Sequence, residues 1–296
     1  MYSIIFVVIE MRDTYMKVEI LCPLYNAEIY VEELNKNINK QKNVDFEVRY
    51  LLTESSDNTK KILDKNHLKY DLIKKEDFSH SLTRENAAKK SNADIIVFVT
   101  QDVEIESEYW LYNLVKDIIA KKVAAAYSRQ ITKFNNLEKY TREKNYPETS
   151  KIVSEKDIKQ LGLKTFFFSD ASSAIDKKVF EKLNYYDGKK LPISEDMYIA
   201  YKLITNGYKI LYCAESVVYH SHNFKLRELY SRYKLTGKFF KQNSYLDKYG
   251  TNASGGSLAR YVFKRSIEER NIKAIMRFPL DMGVRFIGMK VGKYGK

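Results

Sequence analysis

The 296-residue chain is 44% apolar and 30% charged, which supplies a real core and argues against a disordered tail. Its 51 Lys and Arg against 38 Asp and Glu leave a net charge of +13, which calls for an anionic partner: nucleic acid, a phosphorylated small molecule or an acidic membrane. Two cysteines, Cys22 and Cys213, both in apolar runs, exclude a disulfide framework and fit a reducing cytoplasm.

The longest apolar run, Ile4–Ile9, is far shorter than the roughly 18 residues of a membrane span and lacks the basic start of an export signal. Residues 1–16 therefore read as an N-terminal extension without an assigned role. Either Met16 is an alternative start, or the segment is an added strand.

From Val18 onward, short apolar runs alternate with helical periodicity, the pattern of βαβ units around a mainly parallel sheet. Val18–Leu21 is the first strand and stops at Pro23; Leu34, Ile38 and Gln41 follow at helical spacing. Phe46–Leu52 is the second strand, Asp57-Asn58-Thr59 opens the second helix, and Tyr70–Ile73 is the third strand. Leu82 to Ser91 reads as helix. Ile95–Thr100 is a continuous apolar run of the kind buried on both faces, which predicts the centre of the sheet. Trp110, Leu111, Leu114 and Ile118 mark an amphipathic helix, and Val123–Tyr127 another strand. The polar stretch Thr132–Lys164 lacks clear strands and is expected to line a site or pack outside the core. Regularity returns with Phe166–Phe168, Ala174–Ile175, a helix from Glu195 to about Asn206, and strands Ile210–Cys213 and Val217–His220. Phe224–Tyr245 is aromatic and helical, Gly250–Gly256 reads as a loop, and the tail from Leu258 alternates apolar and basic residues.

Ligands of open α/β sheets bind beyond the carboxyl ends of the strands, so the polar residues there are the candidates. Thr53 to Thr59 follows the second strand, although a plain loop capped by Asp57 explains it equally well. Gln101-Asp102-Val103-Glu104 follows the central strand; two carboxylates at i and i+2 on extended chain point the same way and suit a hard divalent cation, with a solvated acidic turn as the ordinary explanation. Ser194-Glu195-Asp196 opens a helix, where the acids favour its positive end and one carboxylate could serve as general base. In His220-Ser221-His222, two of the four histidines share a face of an extended segment, as surface residues or as metal or phosphate ligands. Arg84, early in its helix, can reach a diphosphate bidentately, although taken alone an ordinary solvated arginine is the better explanation.

In this order the clusters resemble the family-two inverting glycosyltransferases of GT-A fold, and within them the bacterial rhamnosyltransferase-like group. The matching residues are Val18-Glu-Ile-Leu-Cys-Pro-Leu-Tyr-Asn26, Ser55-Ser-Asp-Asn-Thr59, Phe78-x-His80-x-x-Thr83-Arg84-x-Asn86, Thr100-Gln-Asp102, Glu195-Asp196 and His220-Ser-His-Asn223, spanning Lys17 to Gly237. The resemblance implies an α/β, Rossmann-like, mainly parallel mixed sheet flanked by helices. It implies a catalytic domain over 17–223 and a C-terminal helical, basic region over 224–296. Asp102 would hold Mg²⁺ or Mn²⁺ against the donor diphosphate, with Glu104, His220 or His222 helping. Asp196, with Glu195 beside it toward the acceptor, would take the proton from the attacking hydroxyl. Arg84 would steady the phosphates, and Pro23, Tyr25, Asn26, Glu54, Ser56, Asp57, His80 and Gln101 would complete the donor site, with Trp110 facing the acceptor. One departure stands out: where the family commonly holds the pyrimidine with an aspartate, this chain has Leu52 or Thr53, leaving Glu54 as the substitute.

The implied reaction moves a sugar, L-rhamnose from dTDP-L-rhamnose in the first instance and a UDP-hexose as the alternative, to a hydroxyl of a growing, lipid-linked bacterial surface polysaccharide. The tail from Leu258 carries ten Lys or Arg against three acids, +7 of the +13. There Met282, Phe286 and Met289 share a helical face among Arg285, Lys290 and Lys293, as in a helix lying on an anionic bilayer. That reading places the protein in the cytoplasm, peripheral at the inner face of the membrane; a closing helix or a homodimer contact explains the same pattern. A nucleic-acid-binding role is disfavoured, because the 24 tyrosines are spread along the chain without a recognised module. A non-catalytic scaffold is disfavoured by the presence of Asp102, Asp196 and His220.

Overall fold

The alternation read from Val18 folds as alternating strands and helices. The computed structural model describes residues 16–295, with residues 251–254 as backbone only. The first half runs β1 (Val18–Leu24), α1 (Val31–Ile38), β2 (Phe46–Thr53), α2 (Thr59–Lys65), β3 (Tyr70–Ile73), α3 (His80–Lys90), β4 (Ile95–Val99), β5 (Val103–Glu104) and α4 (Trp110–Ile119). The second half runs β6 (Ala125–Ile131), α5 (Leu137–Asn145), β7 (Lys151–Val153), α6 (Ile158–Leu161), β8 (Ser172–Asp176), α7 (Lys177–Lys182), α8 (Glu195–Thr205), β9 (Ile210–His220), α9 (Leu226–Gln242), α10 (Thr251–Glu268) and α11 (Ile272–Tyr294). Apart from Met16, which packs against the core, the N-terminal extension lies outside the described residues.

The strands form one sheet in the order β3-β2-β1-β4-β8-β6-β9-β5, with β7 also pairing β9. The first four are mutually parallel, as helical crossovers require. From β8 the sheet is mixed: β8 runs antiparallel to β4 and β6, while β6 and β9 are parallel. Every residue of β4 is buried, as expected of the central strand. Its Ile95, Val97 and Val99 belong to one apolar cluster with Leu34 of α1 and Trp110, Leu114 and Ile118 of α4, whereas Ile96 and Phe98 belong to another with Ala87 and Ala88 of α3, Phe180 of α7 and Leu203 of α8. The two late strands expected at Ile210–Cys213 and Val217–His220 are one strand, broken in register where Ser128 pairs Cys213 and Arg129 pairs Val217.

Two sequence expectations fail for tertiary reasons and a third holds only in part. The stretch Thr132–Lys164 lines a site through α5, as expected, but it also holds α6 and the strand β7, which pairs at the edge against β9. Gly250–Gly256 is not a loop: Gly250, at φ +81°, precedes α10, whose Val262 buries against Leu137 and Tyr140 of α5 and outweighs the weak helix propensity of its Ser/Gly start. The expected apolar face of α11 is also misplaced. Met289 packs into the core, while Gly288 and Gly292 press on α9, where a Cβ on Gly292 would lie 2.0 Å from the Lys234 carbonyl oxygen. The exposed stripe is instead Ile272, Met276, Leu280, Ile287, Val291 and Tyr294, with Phe286 beside it. No helix among the described residues is long and apolar enough to cross a membrane.

Candidate active site

The carboxyl ends of β1, β2 and β4 open on a cleft of about 580 Å³, lined among others by Pro23, Tyr25, Tyr30, Thr53, Lys75, Phe78, His80, Arg84, Gln101 and Asp102. Its rim is tied together before any ligand arrives. The Tyr25 N–H donates to Gln101 Oε1 (2.8 Å), and Gln101 Nε2 donates back to the Tyr25 carbonyl (3.1 Å). Asn26 N–H donates to Ser55 Oγ (3.0 Å), Ser56 N–H to Asn26 Oδ1 (2.9 Å), and Glu28 N–H to Asp57 Oδ2 (3.0 Å). Asp57 also accepts from the Thr59 amide (3.0 Å), starting α2. Hence Asn26, Ser56 and Asp57, expected to touch the donor, bind the two loops to each other, and Glu54 accepts from the Lys75 amide (3.2 Å); none of the four lines the cleft. Lys75 and Phe78, passed over in the sequence, do line it, with Lys75 5.3 Å above the Tyr25 ring. Of the two positions left by the missing aspartate, Leu52 is in the core, and Thr53 faces the cleft with its buried hydroxyl unpartnered.

Strand pairing assembles the second group. Antiparallel β5 and β9 set Val103 opposite His220, which brings the turn residue Asp102 onto the end of β9. Asp102 Oδ2 lies 3.4 Å from His220 Nε2 and 3.8 Å from His222 Nδ1, and the three residues can offer ligand atoms all within 4.8 Å of one another. The far nitrogen of His220, Nδ1, is 2.8 Å from Gln130 Oε1, an outer-shell contact that fixes the ring. His222 stacks on Phe224 with ring centres 4.6 Å apart. Burial alone would raise the Asp102 carboxyl, but the hydrogen bond and charge of His220, with His222, hold it well below the usual carboxylate range. Burial, aided by the His220 charge, pushes His222 down to about 3, so it is a neutral imidazole able to coordinate. One carboxylate oxygen and two imidazoles suit a divalent cation of borderline softness. Glu104 does not join them: its carboxylate pairs with Lys133 at 2.5 Å. Asp102 lies in a turn, and extended chain begins only at Val103, so the i, i+2 alternation does not carry across.

Beneath the cleft, Arg84 is buried and its Nη1 donates to Glu195 Oε1 (3.1 Å) and to the His80 carbonyl (2.9 Å). Burial opposes its charge, and the neighbouring Glu195 and Asp170 carboxylates outweigh that, so its pKa is raised. Glu195, expected as a catalytic and acceptor residue, is the counter-ion of Arg84 and does not line the pocket that its neighbour Asp196 enters. Asp196, next in sequence, lines a pocket of about 230 Å³ with Gln130, Ser169, His220 and His222. Burial and the nearby Glu195 and Asp170 raise its pKa well above the ordinary aspartate value, which makes it a stronger proton acceptor than a solvated aspartate. Burial likewise lifts Asp170 to about 6; it accepts from Ser173 Oγ (2.7 Å) and Tyr186 OH (3.0 Å).

Trp110 cannot face an acceptor. It is fully buried, and its indole N–H donates to Ser128 Oγ (3.2 Å) and Ser172 Oγ (3.0 Å). Sequence reading also missed Gln130, Arg142, Arg232 and Arg285, all lining the pocket of Asp196. Gln130, near the end of β6, was within reach of the strand-end rule; the arginines sit in segments without motifs.

The comparisons follow this geometry. Residues 19–184 match the model of glycosyl transferase family 2. The O-antigen chain rhamnosyltransferase RfbN of Salmonella typhimurium is 34% identical over 94% of this chain and 90% of its own. The O-antigen chain rhamnosyltransferase WbaN of Salmonella anatum is 33% identical over 93% and 89%. Among solved structures, S. aureus TarS (residues 1–349, in complex with UDP) aligns at TM-score 0.55 and 17% identity over 94% and 90% of the two chains. The mannosyltransferase PcManGT of Pyrobaculum calidifontis, in complex with GDP-Man and Mn²⁺, aligns at TM-score 0.53 and 14% identity over 96% and 77%. These two share the GT-A fold. With more than half its length under the family model and two such relatives along nearly all of it, the chain belongs to glycosyl transferase family 2 and is a glycosyltransferase.

Proposed function

We propose that this enzyme transfers L-rhamnose from dTDP-L-rhamnose, with inversion, to a hydroxyl of a lipid-linked bacterial O-antigen-type polysaccharide. The names of the two relatives support the sugar and the polymer. The observation that carries the mechanism is the position of Asp102, His220 and His222: Asp102 lines the donor cleft, and both histidines line the pocket of Asp196. The three residues would hold Mn²⁺ or Mg²⁺, the imidazoles favouring Mn²⁺; when bound, the ion neutralises charge growing on the leaving diphosphate. Tyr25 and Lys75 flank the nucleotide base, with Thr53 in the wall of the cleft beneath it. Asp196 removes the proton from the acceptor hydroxyl as that oxygen attacks the anomeric carbon opposite the diphosphate. A donor panel tests this: dTDP-rhamnose is turned over and UDP-hexoses are not. Preference for a UDP-hexose would leave the enzyme class standing and remove the sugar. Loss of the nucleotide's thermal stabilisation on adding EDTA checks the metal.

The lipid linkage draws support from α11. Its exposed stripe Ile272, Met276, Leu280, Ile287, Val291 and Tyr294 is flanked by exposed Lys273 and Lys290, in a tail of charge +7, which matches an anionic bilayer surface. Flotation with phosphatidylglycerol vesicles is expected to carry the protein, and I287E with M276E to release it. Concentration-dependent dimerisation lost in the same variants, without vesicle binding, would assign the stripe to a second copy instead.

A further inference from the structure

A second cavity of about 260 Å³ opens beside the pocket of Asp196, and the two share His222, Phe224, Leu229, Glu138 and Arg285 as walls. Their combined lining is cationic beyond what its carboxylates balance. Arg142 is paired with Glu138 (3.0 Å) and Arg277 with Asp281 (2.8 Å), which leaves Arg232, Arg285 and Lys273 against the single carboxyl of Asp196. None of these three has a carboxylate within ion-pair distance among the described residues. Arg285 is held in place by Tyr233, donating to its hydroxyl at 2.5 Å, and its buried Nε has no partner. Arg232 lies over the Phe224 ring at 5.6 Å. The guanidinium of Arg285, fixed in this way without a counter-ion, is preorganised for an oxyanion with several acceptor oxygens, and the exposed Arg232 is free to close on it.

We infer that the junction of the two cavities is an anion subsite for the acceptor: Arg285 on the common wall, with Arg232 from the Asp196 side and Lys273 from the other, binds a phosphate or diphosphate ester carried by the acceptor, setting its reactive hydroxyl at Asp196. The donor's own diphosphate is assigned to the other side of the Asp102–His220–His222 cluster. This deepens the glycosyltransferase reading and depends on it.

The test compares one acceptor saccharide in two forms, an alkyl diphosphate ester and a neutral alkyl glycoside, in detergent without phospholipid. The wild type is expected to favour the diphosphate by about tenfold or more in kcat/KM, and R285Q and R232Q to cut that preference about tenfold each through acceptor KM. K273Q, at an exposed position, is expected to lower it less and serves if the arginine variants fail to fold. Inorganic pyrophosphate should compete with the acceptor. Equal use of both forms by the wild type, or a rise in donor KM in R285Q, overturns the subsite. So does loss of phosphatidylglycerol vesicle binding in these variants with the preference intact, since bulk headgroups would then be the ligand. Metal-dependent stabilisation by dTDP is measured in parallel: its presence with no acceptor preference rejects the subsite alone, and its absence rejects the donor reading beneath it.

Discussion

The donor side and the acceptor side of this site use their polar groups in opposite ways. Around the proposed donor cleft, Asn26 bonds to Ser55 and Ser56, Asp57 accepts from the Glu28 amide and Gln101 clasps the Tyr25 backbone, so the loops after β1, β2 and β4 are tied together before the nucleotide enters. On the acceptor side, residues from β6, α5, α8, α9 and α11 converge, and several of their cations lack partners. A pre-tied cleft loses little freedom on binding. An unneutralised one holds its electrostatic attraction in reserve for the ligand that completes it. Asp102, His220 and His222 join the two, which is why a strand pairing only two residues long, β5 with β9, has such weight.

The sharpest test of the division is Asp196→Asn, expected to lower kcat by about 10²–10⁴-fold while metal-dependent stabilisation by the nucleotide persists. Turnover near the wild-type level would move the base elsewhere. Next is Trp110→Ala, which empties a buried site beneath the sheet. It should cost about 3–5 kcal/mol in denaturant unfolding yet leave acceptor KM unchanged in the folded fraction. A specific rise in acceptor KM would return Trp110 to the acceptor site. Asp57→Ala removes a loop tie and a helix start, at about 1 kcal/mol, and should raise donor KM without touching acceptor KM. Equal changes in both would mean the two sides are coupled. The mildest effect is in pH dependence. Asp196 must be ionised to accept a proton and its pKa is raised, so kcat should fall on acidification with a midpoint above the ordinary aspartate value of about 4. A midpoint below that value would contradict the burial and charge assigned to it.

Much of the donor side was legible in the chain because it follows from local rules. Apolar runs gave the strands, the polar residues after them gave the cleft, and alternation along extended chain put His220 and His222 on one face, their rings 4.2 Å apart. The same rules misled where their local premise failed. Alternation was carried across a turn for Glu104, and the amphipathic pattern of α4 could not say that Trp110 points fully inward. The arginines of the acceptor side carry no motif, and a solvated arginine and a ligand arginine look alike in sequence.

The amino-acid order by itself determined the strand and helix alternation and the central buried strand, and it singled out Asp102, Asp196 and the histidine pair as polar clusters at element ends, because each of these rests on neighbours a few residues away. Tertiary structure alone decided that Glu195 neutralises Arg84 across 111 residues of chain, that Met289 packs against the core, and that Arg232, Arg285 and Lys273 line two adjoining cavities with Arg285 on their common wall. Those outcomes depend on which distant surfaces meet, and burial and pairing are properties of the meeting, not of the segment.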